Sequence, residues 1–237
     1  DSNNAYSNTA TVTIEVKRIN EPNVFNVKDY GAKGDGITDD TNAIRNTIEN
    51  ARLYSESHNN ELVRIYFPTG VYKTKSFKIY SNMHLVGDGI DETKLIRFVD
   101  RNGPLDENGT FWPRPDPLPP ESGGDDSWFK SFITNYDFRK DRSNPTTSYT
   151  NYNMGIMNMT IFGDGYAFNK DDYENRNNML VKFKNANNIV INNVRFEDSM
   201  NWHLDLRGSH HINIGYIEIE GNTQRDSGRV NDRNNQD

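Results

Sequence analysis

The sequence contains no cysteine, which excludes disulfide bonds and metal sites built from thiolates. It also lacks any apolar run of the length that a membrane span or a signal peptide requires. Basic residues are in the minority, since 27 Lys and Arg against 34 Asp and Glu give a net charge of -7. Proteins that bind nucleic acids usually present a basic surface, so this balance argues against nucleic acid as the main partner.

Apolar residues are scarce for a chain of 237 residues. They make up 33% of the sequence, and the mean hydropathy is -0.90. However, 12 Tyr, 12 Phe and 3 Trp are more than a disordered chain carries. Roughly one residue in seven is asparagine, which is favoured in turns and in stacked ladders because its amide can bond backbone or an identical neighbour. The composition therefore indicates a folded protein with a polar surface and many turns.

The clearest internal pattern is a repeat of 23 residues. Sliding residues 180–197 onto 203–220 keeps six apolar positions in register. Each unit holds three short runs that alternate with period 2, so the repeat predicts coils of three strands with inward side chains stacked between coils. The matched pairs are Val181 with Leu204, Phe183 with Leu206, Ile189 with Ile212, Ile191 with Ile214, Val194 with Ile217 and Phe196 with Ile219. An upstream copy places Met154, Ile156, Met159 and Ile161 on Ile189, Ile191, Val194 and Phe196.

One position in the repeat predicts a bend between strands. Asn192 falls on Gly215, and both residue types tolerate the positive φ that a sharp bend needs. We therefore expect the bend at this position in each coil.

Residues near the start predict a helix that covers one end of the coils. Asp39 is the predicted N-cap, and one apolar face follows it, composed of Ala43, Ile44, Thr47, Ile48 and Ala51. The first coil of a parallel solenoid would otherwise leave backbone groups and apolar side chains open. The helix is thus expected to close the first coil.

Three segments in this order resemble one family: FNVKDYGAKGDGITDDTNAI, IYFPTGVY and LVGDG. Together they are similar to the N-terminal module of the pectate-lyase-3 and polygalacturonase-like superfamily, which also includes alginate epimerases and phage tailspikes. The resemblance implies an all-β fold, a right-handed parallel β-helix with three strands per coil and an N-terminal capping α-helix. It also implies a polysaccharide as the partner.

Two further segments set the expected domain organisation. Residues 1–22 hold a single strand pattern and resemble the last strand and linker of a cadherin-like or immunoglobulin-like repeat, which implies tandem domains in the same full-length chain. The alternative is a strand that packs on the main domain. Residues 23–237 are the expected β-helix, with a long loop insertion at 100–152. Trp112 and Trp128 in this loop either stack on sugar rings or anchor the loop to the coil wall.

The C-terminal region resembles the part of polygalacturonases that leads to their Asn-x-Asp motif. NWHLDLRGSHHINIGYIEIEGNT is followed by NNQD, so the resemblance implies Asn235 as a substrate-binding residue and Asp237 as a catalytic carboxylate. Inverting hydrolysis needs two carboxylates roughly 6.5–9.5 Å apart, and successive coils can supply that spacing. The family's other motifs, Asp-Asp and Gly-His-Gly, would follow Asn-x-Asp in later coils. We therefore expect a C-terminally truncated β-helix that is inactive alone. The alternative for Asp237 is that it is an ordinary turn residue without a catalytic role.

Further substrate-binding residues are expected near this end of the chain. Arginine can hold a sugar carboxylate through two parallel hydrogen bonds, although an exposed arginine is otherwise simply solvated. No metal site is predicted, because Asp35, Asp39 and Asp40 read as loop and cap residues. The adjacent His210 and His211 have no third ligand. The expected substrate-binding set is Asn201, Trp202, His203, Arg207, Arg225 and Arg229.

The favoured function is hydrolysis of an acidic polysaccharide, without a cofactor, by a secreted or cell-surface bacterial protein. A polysaccharide lyase or uronate epimerase is the nearest alternative. That chemistry removes a proton beside a carboxyl group and often uses Ca²⁺ or a basic side chain to stabilise the carbanion. A third alternative is a non-catalytic, carbohydrate-binding or adhesive β-helix. Asp-Asp and Gly-His-Gly in later coils would favour the hydrolase.

Overall fold

The computed structural model of the chain describes residues 23–97, 131–135, 151–163, 179–199 and 202–221. The expected upstream segment 1–22 lies outside these ranges. A 3-10 helix, Val27–Tyr30, and one α-helix, α1 (Thr41–Ser57), accompany the strands. The strands are β1 (Val24–Asn26), β2 (Asp35–Asp39), β3 (Val63–Phe67), β4 (Gly70–Thr74), β5 (Phe77–Ile79), β6 (Met83–Gly87), β7 (Thr93–Arg97), β8 (Ile133–Asn135), β9 (Asn151–Phe162), β10 (Val181–Lys182), β11 (Ala186–Glu197), β12 (Leu204–Asp205), β13 (His210–Ile214) and β14 (Ile217–Glu220).

Every strand pairing in the described part of the chain is parallel. The larger sheet has the order β1-β3-β6-β9-β7-β4-β2, and β11, β13 and β14 extend it from β9. The smaller sheet has the order β12-β10-β8-β5. The long strands β9 and β11 bend, so that each pairs with two separate strands of a neighbouring coil. The fold is a parallel β-helix, as the repeat predicted.

The register between coils confirms the 23-residue repeat. Val181 lies opposite Leu204 in the smaller sheet. In the larger sheet, Ile189 lies opposite Ile212 and Phe196 lies opposite Ile219. The upstream copy is also confirmed, because β9 pairs with β11 in the predicted alignment, from Met154 against Ile189 to Ile161 against Phe196.

The core consists of columns of apolar side chains, one from each coil. Ile65, Leu85, Ile156 and Ile191 form one such column, and each is fully buried. Full burial of an aliphatic side chain contributes roughly 1.5–3 kcal/mol relative to exposure, so stacking of these columns stabilises the coil stack. Ile214 continues the column in the last described coil, where it is 43% exposed.

The bends between strands are made by asparagines in left-handed conformation, but not at the predicted position. The residue with positive φ is Asn193, at 55°, and not Asn192. Gly215 does not have a positive φ either. Its lack of a side chain has a steric reason, since a Cβ there would lie 2.0 Å from Oδ1 of Asn192 in the coil beside it. The small residue therefore leaves room for an asparagine side chain.

The asparagine side chains at these bends form a ladder. Asn188 donates Nδ2 to Oδ1 of Asn153 over 2.7 Å, and Asn153 donates Nδ2 to Oδ1 of Asn82 over 2.6 Å. A second ladder joins Asn193 to Asn158 over 3.0 Å. All five residues have φ between 54° and 60°, a region that Asn enters more readily than most residues. The abundance of asparagine is thus partly explained by coil stacking.

Helix α1 covers the first coil with the predicted apolar face. Ile44, Ile48 and Ala51 are buried in the common core, and Ala43 packs against it. The helix begins one residue later than expected, with Asp40 as the N-cap. The Asp39 carboxylate nevertheless accepts a hydrogen bond from the N–H of Thr41 over 3.0 Å, as a helix-capping carboxylate does.

The range 100–152 is not one uninterrupted loop, which corrects the sequence-based expectation. Strand β8 (Ile133–Asn135) lies within it and pairs with both β5 and β10, and β9 begins at Asn151. The sequence signal of β8 is weak because the strand has three residues and because residues 136–150 separate it from β9. Trp112 and Trp128 lie outside the described residues.

Candidate functional site

The outward face of the smaller sheet carries a polar column. The inward side chains of its strands, Phe77, Ile133, Val181 and Leu204, belong to or pack on the core. The alternate residues, which point to the opposite face of a strand, are polar. In register across the four strands they are Lys78, Thr134, Lys182 and Asp205.

Three members of this column, Thr134, Lys182 and Asp205, are buried although they lie on the outward face. Lys182 is fully buried and Asp205 is 4% exposed, and the two are direct register partners on neighbouring strands. Thr134 donates its hydroxyl to the carbonyl of Lys182 over 3.0 Å. Charged side chains are rarely buried without partners because desolvation is costly, so the burial of Lys182 and Asp205 on adjacent strands is a specialised feature of this sheet.

Trp202 and Arg207 lie at the exposed margin of the same sheet. The guanidinium carbon of Arg207 lies 5.3 Å from the centroid of the Trp202 ring. Nε of Arg207 donates to Oδ1 and Oδ2 of Asp205 over 2.9 and 3.0 Å, and Nη2 donates to Oδ2 over 2.7 Å. The indole is 38% exposed. Asp205 therefore holds Arg207, and Arg207 contacts the indole, which leaves part of the tryptophan open to a ligand.

The structure brings together three of the predicted site residues, Trp202, His203 and Arg207. His203 is half-buried, and its carbonyl accepts the N–H of Val181 over 3.0 Å. The other predicted residues lie outside the described ranges: Asn201, Arg225, Arg229, Asn235 and Asp237.

The geometry of Arg207 differs from the one that its predicted role requires. Sequence reasoning treated Arg207 as a direct ligand for a sugar carboxylate. In the structure its guanidinium already binds a carboxylate of its own chain, Asp205, whose side chain is 2% exposed, while the Arg207 side chain is 56% exposed. Such a charge-assisted pair has fixed geometry, and the guanidinium that it holds lies beside the Trp202 ring.

Sequence reasoning missed Lys182. The signal was present, because the 23-residue register places Lys182 on Asp205, and opposite charges on adjacent strands are a recognisable cross-strand pair. The apolar periodicity that defines the repeat reports on the inward face of the strands and does not reveal a charged pair on the opposite face.

The local charge differs in sign from that of the whole chain. Among the described residues of this sheet face, Lys78, Lys182 and Arg207 are cationic and Asp205 is anionic, which gives a local sum of +2. The whole chain has a net charge of -7. Lys182 is fully buried, so Lys78 and Arg207 are the members of this set that present positive charge to a ligand, and such charge attracts anionic ligands.

The aspartates of the N-terminal loop act as loop and cap residues, as predicted. Asp35 accepts the N–H groups of Ile37 and Thr38, and these hydrogen bonds lower its pKa to about 2. Asp40 accepts the N–H groups of Lys33 and Gly34 over 2.7 and 3.0 Å. Within the described ranges, no cluster of three or more histidine and carboxylate side chains is arranged to hold a metal ion.

The helical segments of the described chain offer nothing long and apolar enough to cross a membrane.

Comparison with known proteins places the chain in a family. Residues 24–156, more than half of the chain, match the family described as "Rhamnogalacturonase A/epimerase, pectate lyase-like". The chain belongs to this family. The matched region contains the cap helix, β1 to β8 and the first part of β9, so membership establishes the fold and a relationship to polysaccharide-active proteins.

Two curated proteins and one solved structure are similar to this chain. Alginate lyase 7 of Azotobacter vinelandii is 40% identical over 84 residues, which are 32% of this chain and 9% of that protein. Plasmin and fibronectin-binding protein A of Streptococcus pneumoniae is 27% identical over 207 residues, 83% of this chain and 24% of that protein. The chain thus spans a small part of the length of these relatives.

The solved structure is the family 28 exopolygalacturonase of Yersinia enterocolitica. It superimposes with a TM-score of 0.56 at 16% identity, covering 85% of this chain and 39% of that one. At this identity the likeness bears on the fold alone, and it agrees with a parallel β-helix.

Proposed function

We propose that this chain supplies the substrate-binding face of a protein that hydrolyses an acidic polysaccharide. The observation that carries the proposal is the Trp202–Arg207–Asp205 arrangement on a sheet face whose described residues sum to a positive charge. A partly exposed indole offers an apolar ring face to a sugar. The cationic side chains favour a uronate over a neutral sugar at this face.

In this proposal Arg207 acts through Trp202. Because its guanidinium is bound by Asp205, its contribution is to fix the plane of the indole. Direct contacts to sugar carboxylates then fall to other residues of the predicted set: Asn201, His203, Arg225, Arg229 and Asn235.

The proposed catalytic carboxylate is Asp237. Within the strands of the smaller sheet that the structure describes, Asp205 is the single carboxylate, and Arg207 binds both of its oxygens. It is therefore poorly suited to deliver or accept a proton. Hydrolysis with inversion requires an acid and a base on opposite sides of the glycosidic bond, and we assign Asp237 as one of them, with its partner in a later coil.

The test uses the longer protein that includes the coils after residue 237, incubated with polygalacturonate and with alginate. Hydrolysis releases reducing ends without the ultraviolet absorbance of an unsaturated uronate, whereas a lyase produces both. We expect Asp237→Asn to reduce turnover by about 10²–10⁴-fold, as loss of a general acid or base does. Asp232→Asn is the matched control and should keep full activity. Unsaturated product would contradict hydrolysis, and full activity of Asp237→Asn would contradict the assignment.

A non-catalytic role is the second candidate, and one observation favours it. The similarity to the pneumococcal plasmin and fibronectin-binding protein runs over 207 residues, 83% of this chain, whereas that to the alginate lyase covers 84 residues, 32% of this chain. An adhesive β-helix would bind polysaccharide without changing it. Saturable binding by the longer protein, with neither reducing ends nor unsaturated product, would support this candidate over hydrolysis.

A lyase or epimerase reaction is the remaining alternative, and the alginate lyase is the relative that suggests it. That chemistry needs a base beside the uronate carboxyl group and often Ca²⁺. The loop aspartates favour no calcium site, because Asp35 and Asp40 already accept hydrogen bonds at both carboxylate oxygens and Asp39 accepts them at Oδ1. Any such ion would be held elsewhere.

We further propose that the protein is secreted or located on the bacterial cell surface, since its proposed substrate is extracellular. The adhesin among its relatives is consistent with that location.

A further inference from the structure

A cleft of about 550 Å³ lies between the C-terminal half of α1 and the bend that joins β5 to β6. This volume falls within the roughly 300–1,000 Å³ of small-molecule sites in proteins. The cleft shares no lining residue with the Trp202 face, and no step of the proposed function uses it. Its described lining consists of Glu49, Arg52, Ser55, Glu56, Asn60, Tyr80, Ser81, Asn82 and Asn151.

One wall of the cleft is a rigid charged cluster on α1. Arg52 donates Nε and Nη2 to the two oxygens of Glu49 over 2.9 and 2.5 Å, and Nη1 to Oε1 of Glu56 over 2.5 Å. Its guanidinium carbon also lies 5.5 Å from the centre of the Tyr80 ring. The hydrogen bond from Arg52 lowers the pKa of Glu49, so this carboxylate stays ionised. The two carboxylates outnumber the one guanidinium, and the wall has a local charge of -1.

The opposite wall presents hydrogen-bond donors. The asparagine ladder runs in one direction, each Nδ2 donating to the rung below, so Asn82 is the rung that receives from Asn153. Among the described residues, Nδ2 of Asn82 has no acceptor. Ser81 Oγ accepts the N–H of Tyr152 and Nδ2 of Asn151, which directs its own hydroxyl hydrogen away from those groups. The end of the ladder thus faces the cleft with donors.

The third element is Asn60, at the loop that follows α1. It has φ 59° and is exposed. In the described part of the chain its side-chain amide makes no hydrogen bond. Oε2 of Glu56 is likewise an acceptor that no described donor uses. The cleft therefore offers a fixed set of amide and hydroxyl donors beside carboxylate acceptors.

We propose that this cleft is a second saccharide-binding site, specific for an uncharged sugar. Vicinal hydroxyls of a sugar both donate and accept, so they match amide donors opposite a carboxylate acceptor. A uronate would place its carboxylate against a wall that already has an excess negative charge, and like charges repel. The cleft and the Trp202 face then select sugars of different charge, which suits a protein that acts on one chain while holding a neutral one.

The test is a nuclear magnetic resonance titration of the 237-residue chain with cellotetraose, mannotetraose and xylotetraose, and with tetragalacturonate of equal length. We expect at least one neutral tetrasaccharide to shift the side-chain amide resonances of Asn60 and Asn82. Tetragalacturonate should leave these resonances unchanged.

Two pairs of variants make the test specific. Asn60→Gly removes a cleft amide, and Asn59→Gly removes its neighbour, which has φ 54° and does not line the cleft. Asn82→Gly and Asn188→Gly remove the two ends of one ladder, of which Asn82 alone lines the cleft. Glycine keeps the left-handed conformation in all four. Loss of one hydrogen bond should weaken neutral-sugar binding by about three- to tenfold in Asn60→Gly and Asn82→Gly, with the other two unchanged.

The proposal is overturned if no neutral tetrasaccharide shifts Asn60 or Asn82, or if each control weakens binding as much as its partner. Tetragalacturonate binding in the cleft would also overturn it, because the charge argument would then be wrong. These outcomes are independent of the proposed function, which concerns uronates at Trp202 and the activity of the longer protein.

Discussion

Asn153 donates its side-chain amide to Oδ1 of Asn82 over 2.6 Å, and both residues have a left-handed backbone conformation. The same relationship links Asn188 to Asn153. Each asparagine therefore does two things at once, since it permits the bend and bonds its counterpart in the next coil. The ladder fixes the register of the coils at a bend, where backbone pairing between strands is interrupted.

Asn153→Ala should destabilise the fold more than Asn153→Gly. Both variants lose two ladder hydrogen bonds, worth about 1 kcal/mol each. Alanine also pays about 1–2 kcal/mol for a left-handed conformation that glycine adopts freely. Urea unfolding followed by circular dichroism gives both values. Equal losses would show that the left-handed backbone adds no strain at this position.

Gly215→Ala should destabilise the last described coil for steric reasons. The added Cβ would lie 2.0 Å from Oδ1 of Asn192, and overpacking of this kind costs about 1–3 kcal/mol. Asn192→Ala removes the obstructing amide, so the cost of Gly215→Ala should fall in that background. A double-mutant cycle in urea measures this coupling. Strict additivity of the two substitutions would refute the steric explanation.

His84 should make the fold sensitive to mild acid. Burial, and then the positive charge of Arg64, lowers the pKa of His84 below its ordinary value of 6.5. The folded state therefore binds the proton less readily than the unfolded state, and stability rises with pH across this window. The contribution of His84 to folding stability is fully present above pH 6.5 and is lost as the pH falls toward the pKa of His84 in the folded state.

The direct measurement for His84 is an NMR titration of its ring protons in the folded chain. We expect a midpoint below 6.5, and His84→Gln should flatten the dependence of the urea midpoint on pH over that window. His58→Gln, on the exposed end of α1, is the control and should leave the dependence intact. A His84 midpoint at or above 6.5 would contradict the role of burial.

Arg207→Lys should release the Trp202 indole without unfolding the coil. Lysine keeps the charge but lacks the planar fork that binds both oxygens of Asp205 and covers the ring. The stacking contribution is about 0.5–1 kcal/mol at an exposed site. Relaxation measurements on the indole N–H should show increased motion on the nanosecond timescale. Arg195→Lys, on the other sheet, is the control, and comparable mobility of Trp202 in both variants would exclude a specific role for Arg207.

The sequence predicted the repeating parts of the fold better than its exceptions. The pairs from Val181 with Leu204 to Phe196 with Ile219 follow from alternation of apolar residues, which burial enforces in every coil. The bend was assigned to Asn192 because Gly215 aligns with it, whereas Asn193 adopts the positive φ. Arguments from residue propensity cannot distinguish two adjacent asparagines. The contact between Asn192 and Gly215 in the structure does distinguish them.

The candidate site was predictable in position but not in its internal contacts. The sequence predicted both Trp202 and Arg207 as substrate-binding residues, and in the structure the two are neighbours. The pairing of Arg207 with Asp205 depends on the direction of the chain in the turn that follows β12. From the sequence alone, Asp205 and Arg207 are equally compatible with two separate side chains that are both solvated. The cleft beside α1 was not predictable, because it joins residues from the helix and from a bend distant in sequence.

The most direct test of the central claim is an NMR titration of this chain with tetragalacturonate and, separately, with cellotetraose, followed at the indole N–H resonances of its three tryptophans. Trp202→Phe identifies which resonance belongs to Trp202. The account predicts that the uronate shifts the Trp202 resonance in a saturable manner, and that the neutral sugar at equal concentration shifts it far less. A Trp202 resonance that tetragalacturonate leaves unchanged, or that cellotetraose shifts equally, would contradict an acidic polysaccharide as the ligand of this face.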